Sequence, residues 1–290
     1  MTNKPVTHNG DLEHLPAALM PLTQERRWVG WKWRKRKNKD GSEKWTKPPF
    51  QPDNPKREAE VDNPSTWSSF EAALGRALGG DCEGIGYVLP KSEIGAVDLD
   101  KSRGDANGNG TGEIEPWAED LIEKSGGAYV ETTVSGKGLR IIGRASGPQI
   151  DRRFNFAANG AAVELYRDTA RYITISGLEV GLCSSLPCVD DFLDDLLARL
   201  SDPARQAPGL DFSLSGSPAL TISDVEALIQ NDGNTSPDRS RDFGRVVWSL
   251  ARKGLSPDEI EAELAKYPNG IGAKYVGRLR QEVLRCYDKW

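Results

Sequence analysis

The sequence predicts an α+β fold with a mainly antiparallel sheet, followed by a small all-helical domain. Three observations predict it. Strand-like apolar runs dominate the first two thirds of the chain, helical patterns are inserted singly between them, and only helical signals remain beyond the stretch Ser201 to Ala219.

Residues 1–24 read as a flexible tail whose apolar patch, Leu15 to Leu22, is broken by Pro16 and Pro21. Strands follow around Trp28–Trp33 and Lys44–Lys47, joined by a turn at Lys39–Gly41. Ser65 to Leu78 places Trp67, Phe70, Leu74 and Leu78 on one face and stops at Gly79 and Gly80, the pattern of an amphipathic helix. Two strands, Gly84–Leu89 and Ile94–Leu99, flank the turn Pro90–Glu93. A Gly/Asn-rich loop, Gly104–Gly112, leads to a helix around Glu115–Glu123 that ends at Gly126 and Gly127. Four more strands, Ala128–Val134, Leu139–Ile142, Ala162–Tyr166 and Tyr172–Ser176, and a helix near Val189–Leu200 complete a domain over residues 25–200. Residues 201–219, with Pro203, Pro208 and Pro218 among Gly and Ser, form a linker by composition. Residues 220–290 carry helices near 223–230, 239–253, 257–266 and 273–289, two of them opened by the capping boxes Ser223–Glu226 and Ser256–Glu259.

The 290 residues are 37% hydrophobic and 28% charged, enough for one sizeable core and a second, smaller one. No apolar run approaches the ~20 residues of a membrane span, and the start Met1-Thr-Asn-Lys lacks the apolar segment of a secretory signal, so a soluble cytoplasmic protein with no membrane partner is expected. Cys82, Cys183, Cys188 and Cys286 fit no metal-ligand spacing and read as reduced thiols. The only histidines, His8 and His14, lie in the tail. Chemistry in the core is therefore expected to run without imidazole, which excludes Ser-His-Asp and Cys-His nucleophiles and leaves carboxylates, metal ions, lysine and arginine.

The net charge of -5 hides a basic stretch from Arg26 to Arg57, with an excess of roughly nine positive charges interleaved with Trp28, Trp31, Trp33 and Trp45. Lysine and arginine release counterions from phosphates and indoles stack on bases, so Trp28, Trp31, Arg34, Lys35 and Lys47 are candidate contacts for a single-stranded template. The alternative is a solvated hairpin whose tryptophans pack inward at period two.

In Ile94-Gly-Ala-Val-Asp-Leu-Asp100, strand alternation sends Asp98 and Asp100 to one face and Val97 and Leu99 to the core. Two carboxylates side by side repel each other, an arrangement that a divalent cation relieves; Mg²⁺ in particular sits between carboxylates and substrate phosphates. An EF-hand would need glycine at Arg103 and glutamate at Asn109, and a P-loop would need Ser or Thr at Gly138, so both motifs fail. Ser135-Gly-Lys-Gly138 between two strands is a plausible phosphate cradle or an ordinary hairpin loop. Glu164, across a turn from Arg171 and Thr174, completes a metal triad or is a salt-bridged strand residue. Three acids and such a loop match the needs of two-metal phosphoryl or nucleotidyl transfer, for which histidine is dispensable.

Trp28-x2-Trp31 with Lys47-Pro-Pro49, then "NPSTWSSFEAAL", "GIGYVL", "AVDLD", "SGKGLRII" and "VELYRDTARYITISG", resemble in that order the primase-polymerase domain of phage, prophage and plasmid replication proteins, in the archaeo-eukaryotic primase superfamily. The resemblance covers Arg27 to Gly177 and is looser over the helical C-terminal part. It implies an RRM-like catalytic domain and a nucleotidyltransferase, a DNA primase and DNA-directed polymerase working with Mg²⁺ or Mn²⁺. It further implies that Asp98, Asp100 and Glu164 are catalytic metal ligands, that Ser135, Gly136, Lys137, Gly138 and Arg140 hold the triphosphate, and that Arg171 contacts incoming nucleotide or template. The family's second motif usually ends in histidine, where this chain has Arg140, which holds a triphosphate but cannot switch protonation near neutral pH. Partners implied are single-stranded DNA, NTP or dNTP, and either a separate replicative helicase or, if the chain is a fragment of a helicase-primase, one in the same protein. Lys253, Lys274, Arg278, Arg280 and Arg285 are candidate template or origin contacts on the C-terminal helices. A catalytically weakened DNA- or nucleotide-binding replication module and a metal-dependent nuclease remain as alternatives.

Overall fold

A computed structural model describes residues 3–37, 41–104, 112–155, 160–181, 183–202, 222–230, 239–252 and 254–287. The elements in chain order are a 3-10 helix at Ala17–Gln24, β1 (Trp28–Trp31), β2 (Arg34–Lys37), β3 (Glu43–Thr46), β4 (Pro49–Phe50), α1 (Phe70–Leu78), β5 (Gly84–Val88), β6 (Ile94–Asp100), α2 (Pro116–Lys124), β7 (Tyr129–Thr132), β8 (Leu139–Arg144), β9 (Ile150–Asn155), β10 (Ala162–Arg167), β11 (Tyr172–Ile175), α3 (Asp190–Ser201), α4 (Ile222–Gln230), α5 (Arg239–Arg252), α6 (Pro257–Ala265) and α7 (Leu279–Tyr287). The fold is mixed α+β with antiparallel sheets.

The chain divides into two compact units. One is Met1–Glu115 with Ala128–Glu179 and Ser184–Leu210; the other is Pro116–Gly127 with Val180–Cys183 and Asp211–Trp290. The first unit is built on two sheets, β7-β8-β6-β10-β9 and β11-β5-β1-β4, with β2 and β3 paired as a separate hairpin. β6 lies at the centre of the five-stranded sheet because its apolar residues need cover. Val97 and Leu99 are 1% and 0% exposed, and Leu99 is flanked by Leu139 on β8 and Val163 on β10. Burying three such side chains contributes on the order of 5 kcal/mol. The strand is buried from Ile94 to Val97 and opens only at Asp98 and Asp100. β5 is buried along its whole length, as a strand covered on both faces is.

Several elements depart from the sequence-based expectation. Residues 3–24, expected to hang free, pack onto the first unit: Leu12, Leu15, Ala18, Leu19 and Leu22 are buried, and Trp28 donates its indole N–H to the Leu22 carbonyl at 3.0 Å. Neither proline breaks this segment: Pro16 is the N-cap of the 3-10 helix and Pro21 lies within it. The helix expected from Ser65 begins later, at α1, where the Ser69 hydroxyl caps the Ala72 N–H at 3.3 Å; Trp67 and Ser68 are still extended, with Ser68 bridged to Trp28. β9 carries no apolar alternation and escapes the sequence pattern; Asp151, Arg152 and Arg153 are exposed, as suits a sheet edge. The helix expected over 273–289 is a 3-10 turn at Ile271–Tyr275 followed by α7, separated where Gly277 takes φ +83°. The expected turn at Lys39, most of the loop after Gly104, the linker from Pro203 and the side chain of Ser223 lie outside the described residues.

The second unit gathers Phe243, Val246, Val247, Leu250, Ile260, Leu264, Ile271, Tyr275 and Val283 into one core. α6 opens with a complete capping box, Ser256 and Glu259 each bonding the other's backbone N–H, with Pro257 next. Arg245 of α5 reaches Glu123 of α2 at 3.3 Å. Among the described residues no helix is long and apolar enough to cross a membrane.

Candidate active site

The register of the five-stranded sheet sets five charged residues in one row. Glu131 on β7 lies opposite Arg140 on β8, Arg140 opposite Asp98 on β6, Asp98 opposite Glu164 on β10, and Glu164 opposite Arg153 on β9. Cross-strand partners share a face, so Glu164 stands on the face of Asp98, and Asp100, two residues on, joins them. Like charges placed directly opposite are destabilising, and the row supplies its own compensation. Arg140 clasps Asp98 with two parallel bonds, Nε to Oδ1 and Nη2 to Oδ2 at 2.8 Å. Its Nη1 donates to the Thr174 carbonyl and, at 3.1 Å, to the Thr174 hydroxyl, and lies 3.8 Å from Glu131 Oε1. At the other end Arg153 Nη1 contacts Glu164 and stands 3.0 Å from Asp100 Oδ2. The Tyr166 hydroxyl donates to Glu164.

Burial and crowding raise three of these acids, Glu164, Asp100 and Glu131. Burial, reinforced by the charges of Asp98 and Asp100, pushes Glu164 up to about 7 against the pull of Arg171 and Arg140. Burial and Asp98 also raise Asp100, with Arg153 and Lys47 opposing. Glu131 is wholly enclosed and raised by burial, while Arg140 and the backbone N–H groups of Ser176 and Gly177 favour its charged form. Burial pulls Arg140 down, but Asp98 and Glu131 outweigh it and hold the guanidinium firmly charged. Lys47, half-buried, is lowered by burial and by Arg140 and drawn back up by Asp98, Asp100 and Glu164. Its ammonium stands 5.5 Å from the Trp33 ring centre. Lys47 thus faces the acidic cluster, whereas Arg34 and Lys35 are exposed on β2.

Ser135–Gly138 is the turn between β7 and β8, beside the Asp100 end of β6. It closes through Thr133 N to the Gly138 carbonyl at 2.9 Å and Gly136 N to the Thr133 carbonyl at 2.8 Å, with Lys137 pointing to solvent. Gly136 has φ +72°, a conformation that favours glycine. His8, expected in a free tail, is half-buried in the N-terminal leader, residues 3–24, and lies against this turn: a β-carbon at Gly136 would stand 2.8 Å from its ring.

Other expected contacts fall elsewhere. Trp28 and Trp31 are 0% exposed, so the expectation that they stack on template bases is corrected; they are core residues, Trp28 edge-on to Phe70 and Tyr87 and Trp31 edge-on to Trp33. Arg171 is half-exposed and paired with Asp151 by two contacts of 3.3 Å. On the C-terminal helices Arg278 and Arg285 pair with Glu282, Arg280 pairs with Asp258 and Glu261, and Lys274 lies over Tyr275; Lys253 lies outside the described residues. Sequence reasoning missed Glu131 and Arg153. The signal for Glu131 is an acid that follows the apolar run Ala128–Val130 within a strand pattern; for Arg153 nothing in the sequence tells it from its neighbour Arg152.

Three carboxylates thus share one face, two of them raised by burial and by their mutual repulsion. As they stand their oxygens are engaged by Arg140 and Arg153, and among the described residues no three His, Cys, Asp or Glu side chains are gathered in a ligand cluster.

No family model matches the chain. Over 161 residues it is 30% identical to a DNA primase-polymerase of Nitratiruptor phage NrS-1, a match that covers 55% of this chain and 20% of that protein. The chain thus spans about a fifth of that relative's length, and the likeness supports a distant primase-polymerase relationship.

Proposed function

We propose that this chain is a DNA primase-polymerase of the archaeo-eukaryotic superfamily, carrying out template-directed nucleotidyl transfer on single-stranded DNA in phage- or plasmid-type replication. The observation that carries the reading is the pairing of Asp98 with Glu164 across β6 and β10, with Asp100 on the same face and the Ser135–Gly138 turn beside it. The similarity to a phage protein of that name supports it independently.

Asp98, Asp100 and Glu164 would hold Mg²⁺ or Mn²⁺, which when bound supplies Lewis-acid activation and charge neutralisation for phosphoryl chemistry. The chain's own residues divide the remaining tasks. Arg140, with its donors taken by Asp98 and Thr174, fixes the Asp98 carboxylate. Arg153, on an edge strand and 48% exposed, neutralises Asp100 and Glu164 and is free to swing away when a cation replaces it. Ser135, Gly136, Lys137 and Gly138 cradle the triphosphate, Lys47 adds a positive charge facing the acids, and Arg171 exchanges Asp151 for nucleotide or template. Arg34 and Lys35 on the exposed hairpin guide the template backbone.

Incubation with a single-stranded template, nucleotides and Mn²⁺ tests the reading. Template-complementary product is expected, and Asp98→Ala with Asp100→Ala should abolish it; a wild type without product, or undiminished synthesis by the double variant, would overturn it. A second reading, a nucleotide- or DNA-binding module of weakened activity, is favoured by the engagement of all three acids with arginines. It predicts nucleotide binding without synthesis, whereas a metal-dependent nuclease, using the same acids, predicts template loss.

A further inference from the structure

Residues 7–10 of the leader form a strap tied to the first unit, one of the ties being next to the proposed phosphate turn. Thr7 Oγ1 accepts the Trp33 indole N–H at 3.0 Å, His8 N donates to the Val134 carbonyl at 2.9 Å, Asn9 Nδ2 donates to the Glu83 carbonyl at 2.9 Å, and Gly10 N donates to the Ser176 carbonyl at 2.8 Å. These ties fix the backbone on either side of one side chain, His8. Its ring edge overlies Gly136: a β-carbon added there would be 2.8 Å from both Cδ2 and Nε2. The turn is therefore shaped to receive the ring, by a glycine whose φ of +72° and missing side chain leave the space. On either side of Gly136 in the same turn are Ser135, whose hydroxyl is 3.1 Å from Thr133 Oγ1 and accepts the Lys137 N–H at 3.4 Å, and Lys137, whose side chain is exposed.

We propose that the strap is part of the nucleotide site, with His8 joining Ser135 and Lys137 to donate a hydrogen bond from Nε2 to a phosphate oxygen of the nucleoside triphosphate. The inference rests on the turn being the triphosphate cradle. It adds to that cradle an imidazole from about 127 residues away in sequence, which gives the anion a donor that the turn does not supply itself. Hydrogen bonds to charged groups are the strong ones, so this contact should be legible in affinity.

The test is equilibrium binding of a fluorescent deoxynucleoside triphosphate to the full chain, by anisotropy in EDTA and in Mn²⁺, for wild type, His8→Ala, His8→Phe and Lys137→Ala. His8→Phe keeps an aromatic ring against Gly136 and removes both nitrogens. The expected result is about tenfold weaker triphosphate binding for His8→Phe and His8→Ala, with the melting temperature of His8→Phe near that of wild type and binding of the unphosphorylated nucleoside unchanged. Triphosphate binding by His8→Phe equal to wild type would overturn the proposal, since ring packing alone would then explain the histidine. Should His8→Ala fail to fold, His8→Phe still decides. A wild type that binds no triphosphate, with Lys137→Ala indistinguishable from it, would instead sink the assignment of the turn as a cradle, a different failure from loss of the strap's role.

Discussion

Arg140 makes four hydrogen bonds from one guanidinium, two to Asp98 and two to Thr174, and sits against the enclosed Glu131. Removing one partner of a buried pair leaves the other charge uncompensated, which costs about 3–5 kcal/mol, more than removing an exposed pair. Glu131→Ala strips Arg140 of its second acid and the Ser176 and Gly177 N–H groups of their acceptor. It is expected to lower stability by about 3 kcal/mol, and Glu131→Gln, which keeps an acceptor, by clearly less; urea unfolding measures both. Glu164 adds a pH signature. Its value rises from 4.5 to about 7 on folding, so between those values the folded chain keeps a proton that the unfolded chain has lost. The contribution of this group to stability is full below about 4.5 and falls as pH rises towards 7. Glu164→Gln should therefore raise the melting temperature relative to wild type more at pH 8 than at pH 5, and equal shifts at both would refute a titrating Glu164.

At the scale of elements, the hairpin β2–β3 is an exposed, positively charged arm of the first unit. Arg34, Lys35, Arg36 and Lys37 are all exposed, with only Lys35 to Glu43 at 3.4 Å and Arg36 to Glu58 at 3.6 Å as partners among the described ion pairs. Exposed pairs of this kind contribute little to stability, so the arm can be neutralised without unfolding the chain. Replacing all four by alanine should weaken single-stranded DNA binding and flatten its dependence on salt by about 0.7 in log-log slope per lost phosphate contact, at an unchanged melting temperature. An unaltered slope would take the arm off the template path. Strap and arm also show why patterns mislead: the tryptophans of "WVGWKW" read equally as core or as stacking surface, and burial of Trp28 and Trp31 decides for core.

For the whole molecule, the proposed function gives the second unit a part in initiation that can be tested. Its basic side chains Arg278, Arg280 and Arg285 are engaged with acids on the same unit, so any template contact there competes with those pairs. Deleting residues 215–290 is expected to reduce de novo initiation more than extension of a preformed primer, measured on one template with both substrates; equal losses would remove the special role. The helix α2 belongs with this unit although it lies between β6 and β7 in the chain. Its own pattern announces a helix and not which core it joins.

The sequence by itself determined the strands that carry Asp98, Asp100 and Glu164, the face on which the two aspartates stand, the glycine turn and the capping box at Ser256, because alternation, glycine conformation and capping are local properties of adjacent residues. Only the tertiary structure decided that Glu164 lies opposite Asp98, that Arg140, Glu131 and Arg153 complete the row, and that the leader brings His8 to Gly136. Those facts are strand registers and packing between segments, 66 residues apart for Asp98 and Glu164 and 128 for His8 and Gly136, set by which apolar faces cover one another and not by the local letters.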